Sequence, residues 1–204
     1  LSLLPTTTEY SRNSIFSGLF PDELQREFSE EYNQMISEDF SKNAFEEKFL
    51  NYQIQKKQIK ASMKYFKINN NSQGKKLLNS IQDYKQLGLL ALVVNFVDIL
   101  GHQRSESEML QEIIPDEKAL RNTIKLWFEN SWLFQLIQHS LSQGKKILIT
   151  SDHGNISVDN PVKIKADKNT TPGVRYKVGK DLHISKKYAF KMTNIKDYRL
   201  PTIS

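Results

Sequence analysis

The chain has 204 residues, 38% of them hydrophobic, enough for one sizeable core and an expectation of one domain or a large piece of one. Charged residues make up 25% and aromatics 10%, which excludes wholesale disorder, and the lack of cysteine excludes a disulfide scaffold, a thiolate metal site and a cysteine nucleophile. The net charge of +6 is uneven: residues 1–140 hold 16 basic against 18 acidic side chains, residues 141–204 hold 13 against 5. A basic final third favours phosphate-bearing partners; a solvated lysine-rich surface is the alternative.

The longest apolar run, residues 87–97, is about half of what a membrane span needs, so no membrane partner is expected. No basic stretch precedes Leu1, so no signal peptide is visible and a cytoplasmic protein is expected. The first residue is not Met, so a chain cut from something longer is expected.

In chain order, residues 1–5 read as the end of a buried strand. Residues 9–19 have helical spacing, with Tyr10, Ile15, Phe16 and Leu19 mainly on one face and Thr8 at the N-cap. Gly18 and Pro21 close that helix. Residues 21–51 are polar and mostly helical, with Phe28, Tyr32, Ile36, Phe40, Phe45 and Phe49 as anchors and Glu30, Glu31, Glu46 and Glu47 as solvated face. Residues 59–68 form a candidate strand and residues 75–84 a short amphipathic helix. Residues 88–97 suit a central strand covered on both faces. Pro115 and Asp116 start the longest expected helix, which runs to Ser142 and buries both tryptophans; residues 146–150 follow as a second buried strand. Strand, long helix and strand make a parallel crossover unit. Residues 162–166 and 188–192 are short strand-like pieces between polar loops.

Two acidic-histidine clusters each follow a predicted strand: Asp98 with His102, and Asp152 with His153 before Gly154. Carboxyl ends of strands face the ligand crevice of a doubly wound sheet, and imidazole with carboxylate suits zinc. Turn or surface pairs are the alternative reading. His139, without an acidic neighbour, reads as structural; His183, in a lysine-rich loop, reads as exposed. A hydroxyl at the helix start, within Thr6-Thr7-Thr8, suits a nucleophile, because helix N–H groups stabilise an alkoxide and an incoming phosphoryl group. Arg12, one turn on, suits a bidentate grip on phosphate; ordinary N-capping is the alternative.

These three elements, in this order, resemble the alkaline phosphatase superfamily. The phrases LPTTTEYSRN at 4–13, VDILGHQRSE at 97–106, NTT at 169–171 and VRYK at 174–177 resemble the PglZ domain, and within it the output domain of PorX-type response regulators. The resemblance implies an α/β, alkaline phosphatase-like fold with a mostly parallel central sheet and helices on both faces. It implies one domain over residues 1–204, expected to be partial, with a helical cap or insert at about 22–86. It implies a phosphodiesterase acting on cyclic or linear oligonucleotides, with two zinc ions as cofactors.

By the same resemblance Thr8 is the nucleophile and a metal ligand, and Asp98, His102, Asp152 and His153 are metal ligands. Arg12 is a catalytic and substrate-binding residue, and Asn13 and Arg175 bind substrate. Lys163, Lys165 and Lys168 add a basic surface for a strand. A sigma factor and a histidine kinase of the type IX secretion system are implied partners, and a homodimer is a further expectation. The family's upstream aspartate and late His-Gly-Gly phrase have no match here, so the fragment is expected to bind metal poorly. A partner-docking module with structural metals, or a phosphomonoesterase or phosphomutase of the same superfamily, would carry the same motifs.

Overall fold

Thr7 is in extended backbone (φ −118°, ψ 151°), and the chain becomes helical at the next residue. The structure, a computed structural model, describes residues 3–37, 41–155, 160, 162–165, 176–179 and 182–202. Phe40, Lys168 and Arg175 lie outside the described residues. The chain divides into two compact units, residues 1–55 with 151–204, and residues 56–150. The division falls inside the 22–86 stretch.

The first unit is helical. It contains α1 (Thr8–Ser17), α2 (Pro21–Glu27), α3 (Ser29–Ile36) and α4 (Glu46–Lys56). Gly18 ends α1 in the left-handed region (φ 67°), where glycine carries no Cβ penalty. Pro21 opens α2, and Glu23 accepts from the Phe20 backbone N–H at 2.9 Å. The core joins Leu24, Phe28, Tyr32, Met35 and Phe49. Phe28 meets Phe49 at 5.0 Å and Tyr52 edge-on at 4.9 Å. Phe28, Tyr32 and Phe49 are therefore the anchors expected, whereas Ile36 is exposed.

Helix α1 keeps part of its apolar pattern, with Phe16 and, just past its end, Leu19 packed against this core. Its buried residues are Ser11, Asn13 and Ser17, and Ile15 is exposed. Its cap is also one residue earlier than expected: Thr7 is the N-cap, so Thr8 opens the first turn. Residues 3–5 form no strand, and Leu4 is exposed.

The second unit holds β1 (Met63–Ile68), α5 (Asn71–Asn79), β2 (Leu89–Val94), α6 (Phe96–Glu106), α7 (Glu108–Ile113), α8 (Glu117–Glu129) and α9 (Trp132–Ser142). β1 and β2 pair in parallel, with Phe66 opposite Leu92 and Ile68 opposite Val94. The crossover is thus β1–α5–β2, one step earlier than the sequence suggests. Alternate strand residues Phe66, Ile68, Leu92 and Val94 pack with Leu77, Trp132 and Leu136. β2 has no fully buried residue, so it is not the doubly covered strand expected. Among the described residues the sheet has two strands, a small parallel sheet consistent with an alkaline phosphatase-like fold.

The long helix is two helices. Ser131 takes extended backbone and accepts from the Phe134 N–H, so a new N-cap interrupts the stripe. Asp116 caps α8, accepting from Ala119 N–H at 2.7 Å. Trp132 is buried, while Trp127 is half-buried and stacks on Phe96 at 3.9 Å. Residues 146–150 are not a strand: Leu148 is 90% and Ile149 75% exposed, and a strand needs a ladder partner. Of the later strand-like pieces, the described parts give one antiparallel bridge, Lys165 with His183. No described helix is long and apolar enough to cross a membrane.

Gly74 in α5 tests the second core. A Cβ there would sit 1.9 Å from Trp132 Cε2. Overpacking of this kind costs about 1–3 kcal/mol, whereas the same change in an open helix stabilises by up to about 1 kcal/mol. Gly74→Ala is therefore expected to lower the urea midpoint; a rise would contradict the packing described.

Candidate functional site

The first turn of α1 carries the expected nucleophile, and a polar network fixes it. Arg12 donates from Nε to Glu46 Oε1 at 2.5 Å. The Glu46 side chain is 1% exposed and that of Arg12 13%, so the pair joins α1 to α4 away from water. Glu46 is not the solvated carboxylate expected, and Arg12 spends its Nε inside the fold. A buried carboxylate stays charged only when paired, which is the physical reason for the difference.

Asn13 is also turned inward. It donates to Glu9 O at 2.7 Å and to Lys42 O at 2.9 Å. Its own Oδ1 accepts from Asn43 at 3.2 Å, and Asn43 donates to Thr8 O at 3.3 Å. Asn13 and Asn43 therefore hold the backbone on either side of the first turn. Glu9 pairs with Lys42 at 2.7 Å and accepts from the Tyr176 hydroxyl. Burial, then the Glu9 charge, pushes the Tyr10 phenol up to about 12. Burial first, then the Glu9 bond, pushes Tyr176 up as well. Folding holds these phenols neutral, so their contribution is present below pH 10 and is lost as the pH rises above it.

Thr8 and His153, 145 positions apart, meet at 3.0 Å between Oγ1 and Nε2. His153 Nδ1 lies 3.0 Å from Gly154 O. A carbonyl oxygen only accepts, so Nδ1 carries the proton and, in a neutral ring, Nε2 presents its lone pair to Thr8. The Thr8 hydroxyl is then the donor. Asp152 accepts from the His153 backbone N–H at 3.1 Å, and its Oδ2 stands 3.7 Å from Nε2. Both side chains are about one-fifth exposed. The Thr7 hydroxyl makes no capping bond and is buried without a hydrogen-bond partner. The N-cap side chain therefore satisfies none of the first-turn N–H groups of α1.

Asp98 and His102 lie in the second unit on α6, one turn apart, with Nε2 and Oδ1 at 3.5 Å. Both are exposed. Asn95 places that helix: its N–H donates to Ile68 O at 3.1 Å and its side chain to Asn69 at 2.6 Å. His139 has a structural partner, Gln82 at 3.2 Å, and His183 is exposed. Among the described residues no three His, Asp or Glu side chains gather at one point.

Sequence reasoning missed Asn43 and Glu46. Arg12 on an otherwise inward face was the available signal that a buried carboxylate must exist, but nothing local named which one. Glu46→Ala is expected to destabilise by about 3–5 kcal/mol in urea titration, because it strands a buried guanidinium. Exposed Glu47→Ala is expected to stay within about 0.5 kcal/mol.

Residues 1–196 match the family model described as the BREX system PglZ alkaline phosphatase-like domain. No curated protein matches the chain. A threonine hydroxyl at a helix start, with an Asp-His pair brought beside it, accords with a superfamily of phosphoesterase type. The chain belongs to the PglZ family of alkaline phosphatase-like domains.

Proposed function

We propose that this chain is a zinc-dependent phosphodiesterase with Thr8 as nucleophile, serving as the output domain of a PorX-type response regulator and acting on cyclic or linear oligonucleotides. The observation that carries the reading is the 3.0 Å contact between Thr8 Oγ1 and His153 Nε2 at the start of a ten-residue helix. The phrases at 4–13 and 97–106 support the regulator type, with sigma factor and histidine kinase as its partners.

The residues present fit zinc. A hydroxyl oxygen, an imidazole lone pair fixed by the Gly154 carbonyl, and the Asp152 carboxylate converge within 3.7 Å of Nε2. Thr8, Asp152 and His153 would hold one ion, and Asp98 with His102 would offer a ligand pair for a second. Zinc supplies Lewis-acid chemistry when bound: it acidifies a coordinated hydroxyl and neutralises phosphate charge.

The rest is the work of the chain's own groups. First-turn N–H groups of α1 hold the phosphoryl oxygens at the positive end of the helix. Asn43 and Asn13 keep the Thr8 backbone in place, so Oγ1 meets phosphorus in line. The Oγ1–P bond forms as the P–O bond to the leaving alcohol breaks. The Oγ1 proton goes to water and the leaving oxygen takes one from water. Water then cleaves the phospho-threonine and restores Thr8.

With zinc supplied, Thr8→Val is expected to lower bis-nitrophenyl phosphate hydrolysis by more than about a thousandfold while the fold persists by circular dichroism. Thr8→Ser should retain measurable turnover. By plasma mass spectrometry His153→Ala and His102→Ala should each retain less zinc than the unsubstituted chain. Wild-type turnover in Thr8→Val, or zinc retention that neither histidine substitution changes, would contradict the reading.

A further inference from the structure

Among the described residues, two aromatic side chains are left exposed: Tyr188 at 58% and Phe190 at 69%. They stand two residues apart, flanked by Lys186 and Lys187 before them and Lys191 after, and Lys196 follows. Among the described residues no carboxylate pairs with any of these four lysines. We propose that the stretch from Lys186 to Tyr198 is a docking platform for single-stranded nucleic acid. The proposal deepens the phosphodiesterase reading by naming the polymer that is held, and rests on that reading for its purpose.

The platform is anchored rather than loose. Phe190 meets Tyr198 edge-on, with centroids at 5.9 Å and planes at 81°. Tyr198 ends a short helical turn, Ile195–Tyr198, capped by Asn194, which accepts from Lys196 N–H and donates to Asp197 at 2.8 Å. The next residue, Arg199, binds Asp22 and Glu23 at 2.9 Å each and lies over the Phe20 ring at 4.4 Å. Thr202 N–H then donates to Gln25 at 2.8 Å. The stretch is thus pinned to α2, with one of its two exposed rings supported by another ring.

Upstream, His183 N–H donates to Lys165 O at 2.9 Å, which brings a second lysine-bearing segment alongside. Lys187 Nζ sits 5.5 Å from the Tyr188 ring centroid. Exposed rings beside cations that no carboxylate neutralises suit unpaired bases on a phosphate backbone, because every base has a face to stack. A lipid surface fits less well. It calls for an amphipathic helix with a broad apolar face, and residues 186–194 contain no helix and two exposed rings.

The test is binding, measured apart from hydrolysis. Fluorescein-labelled dT12 is titrated by anisotropy into Thr8→Val protein, so that the probe stays intact. Binding should weaken with salt. Tyr188→Ala with Phe190→Ala should weaken it by about tenfold or more. Lys186→Gln with Lys187→Gln should flatten the log–log salt slope by about 1.4. Unchanged affinity and slope in both pairs would overturn the proposal, as would capture by phosphatidylglycerol vesicles without dT12 binding. With Thr8 restored, the same substitutions should leave bis-nitrophenyl phosphate hydrolysis unchanged. Intact dT12 binding alongside hydrolysis that does not depend on Thr8 would sink the catalytic reading alone.

Discussion

The buried ion pair of Arg12 and Glu46 is the constraint on which the first unit depends. A carboxylate that is 1% exposed and a guanidinium that is 13% exposed tolerate burial only together. That requirement locks α1 against α4 at one rotation. With α1 so held, its polar face turns inward, and Asn13 and Asn43 close on the backbone around Thr8. The Thr8 hydroxyl is then aimed by backbone geometry rather than by its own rotamer alone. Glu9, next in the chain, is tied to Lys42 and Tyr176 and so binds the later segment to the same turn.

This arrangement adds to the core contact of Phe16 in holding a helix with a weak apolar face. Most helices in proteins are stabilised by an apolar stripe. Here Ser11, Asn13 and Ser17 are the buried residues, and Ile15 faces water. Polar burial of this kind fixes geometry more than it adds stability. The nucleophilic role proposed for Thr8 calls for that trade, since small misplacement costs rate steeply. His153 completes it from 145 positions away, with its tautomer set by a carbonyl next to it in the chain.

Much of this was legible in the sequence, and the failures have physical causes. The Gly18 and Pro21 boundary, the Asp116 cap and the aromatic anchors Phe28 and Phe49 are local signals, and local signals hold. The hydroxyl run before a helix and the Asp-His pair were visible as types. Their meeting was implied by the family resemblance alone, because it joins segments at opposite ends of the chain. Glu46 was misread because a carboxylate in a polar helix looks solvated until its partner is known. The break at Ser131 was masked by a continuous apolar stripe, although serine is a good N-cap. Residues 146–150 have strand composition and no ladder in the fold, a reminder that β-propensity depends on a neighbour.

The claim at the centre of the account is that Thr8 Oγ1 forms a bond to phosphorus. The most direct measurement is acid-quenched peptide mass spectrometry during turnover of bis-nitrophenyl phosphate with zinc present. The account predicts a phosphoryl adduct on the peptide that carries Thr8, absent from Thr8→Val. Turnover with an adduct on another residue, or turnover with no adduct alongside full activity in Thr8→Val, would contradict it.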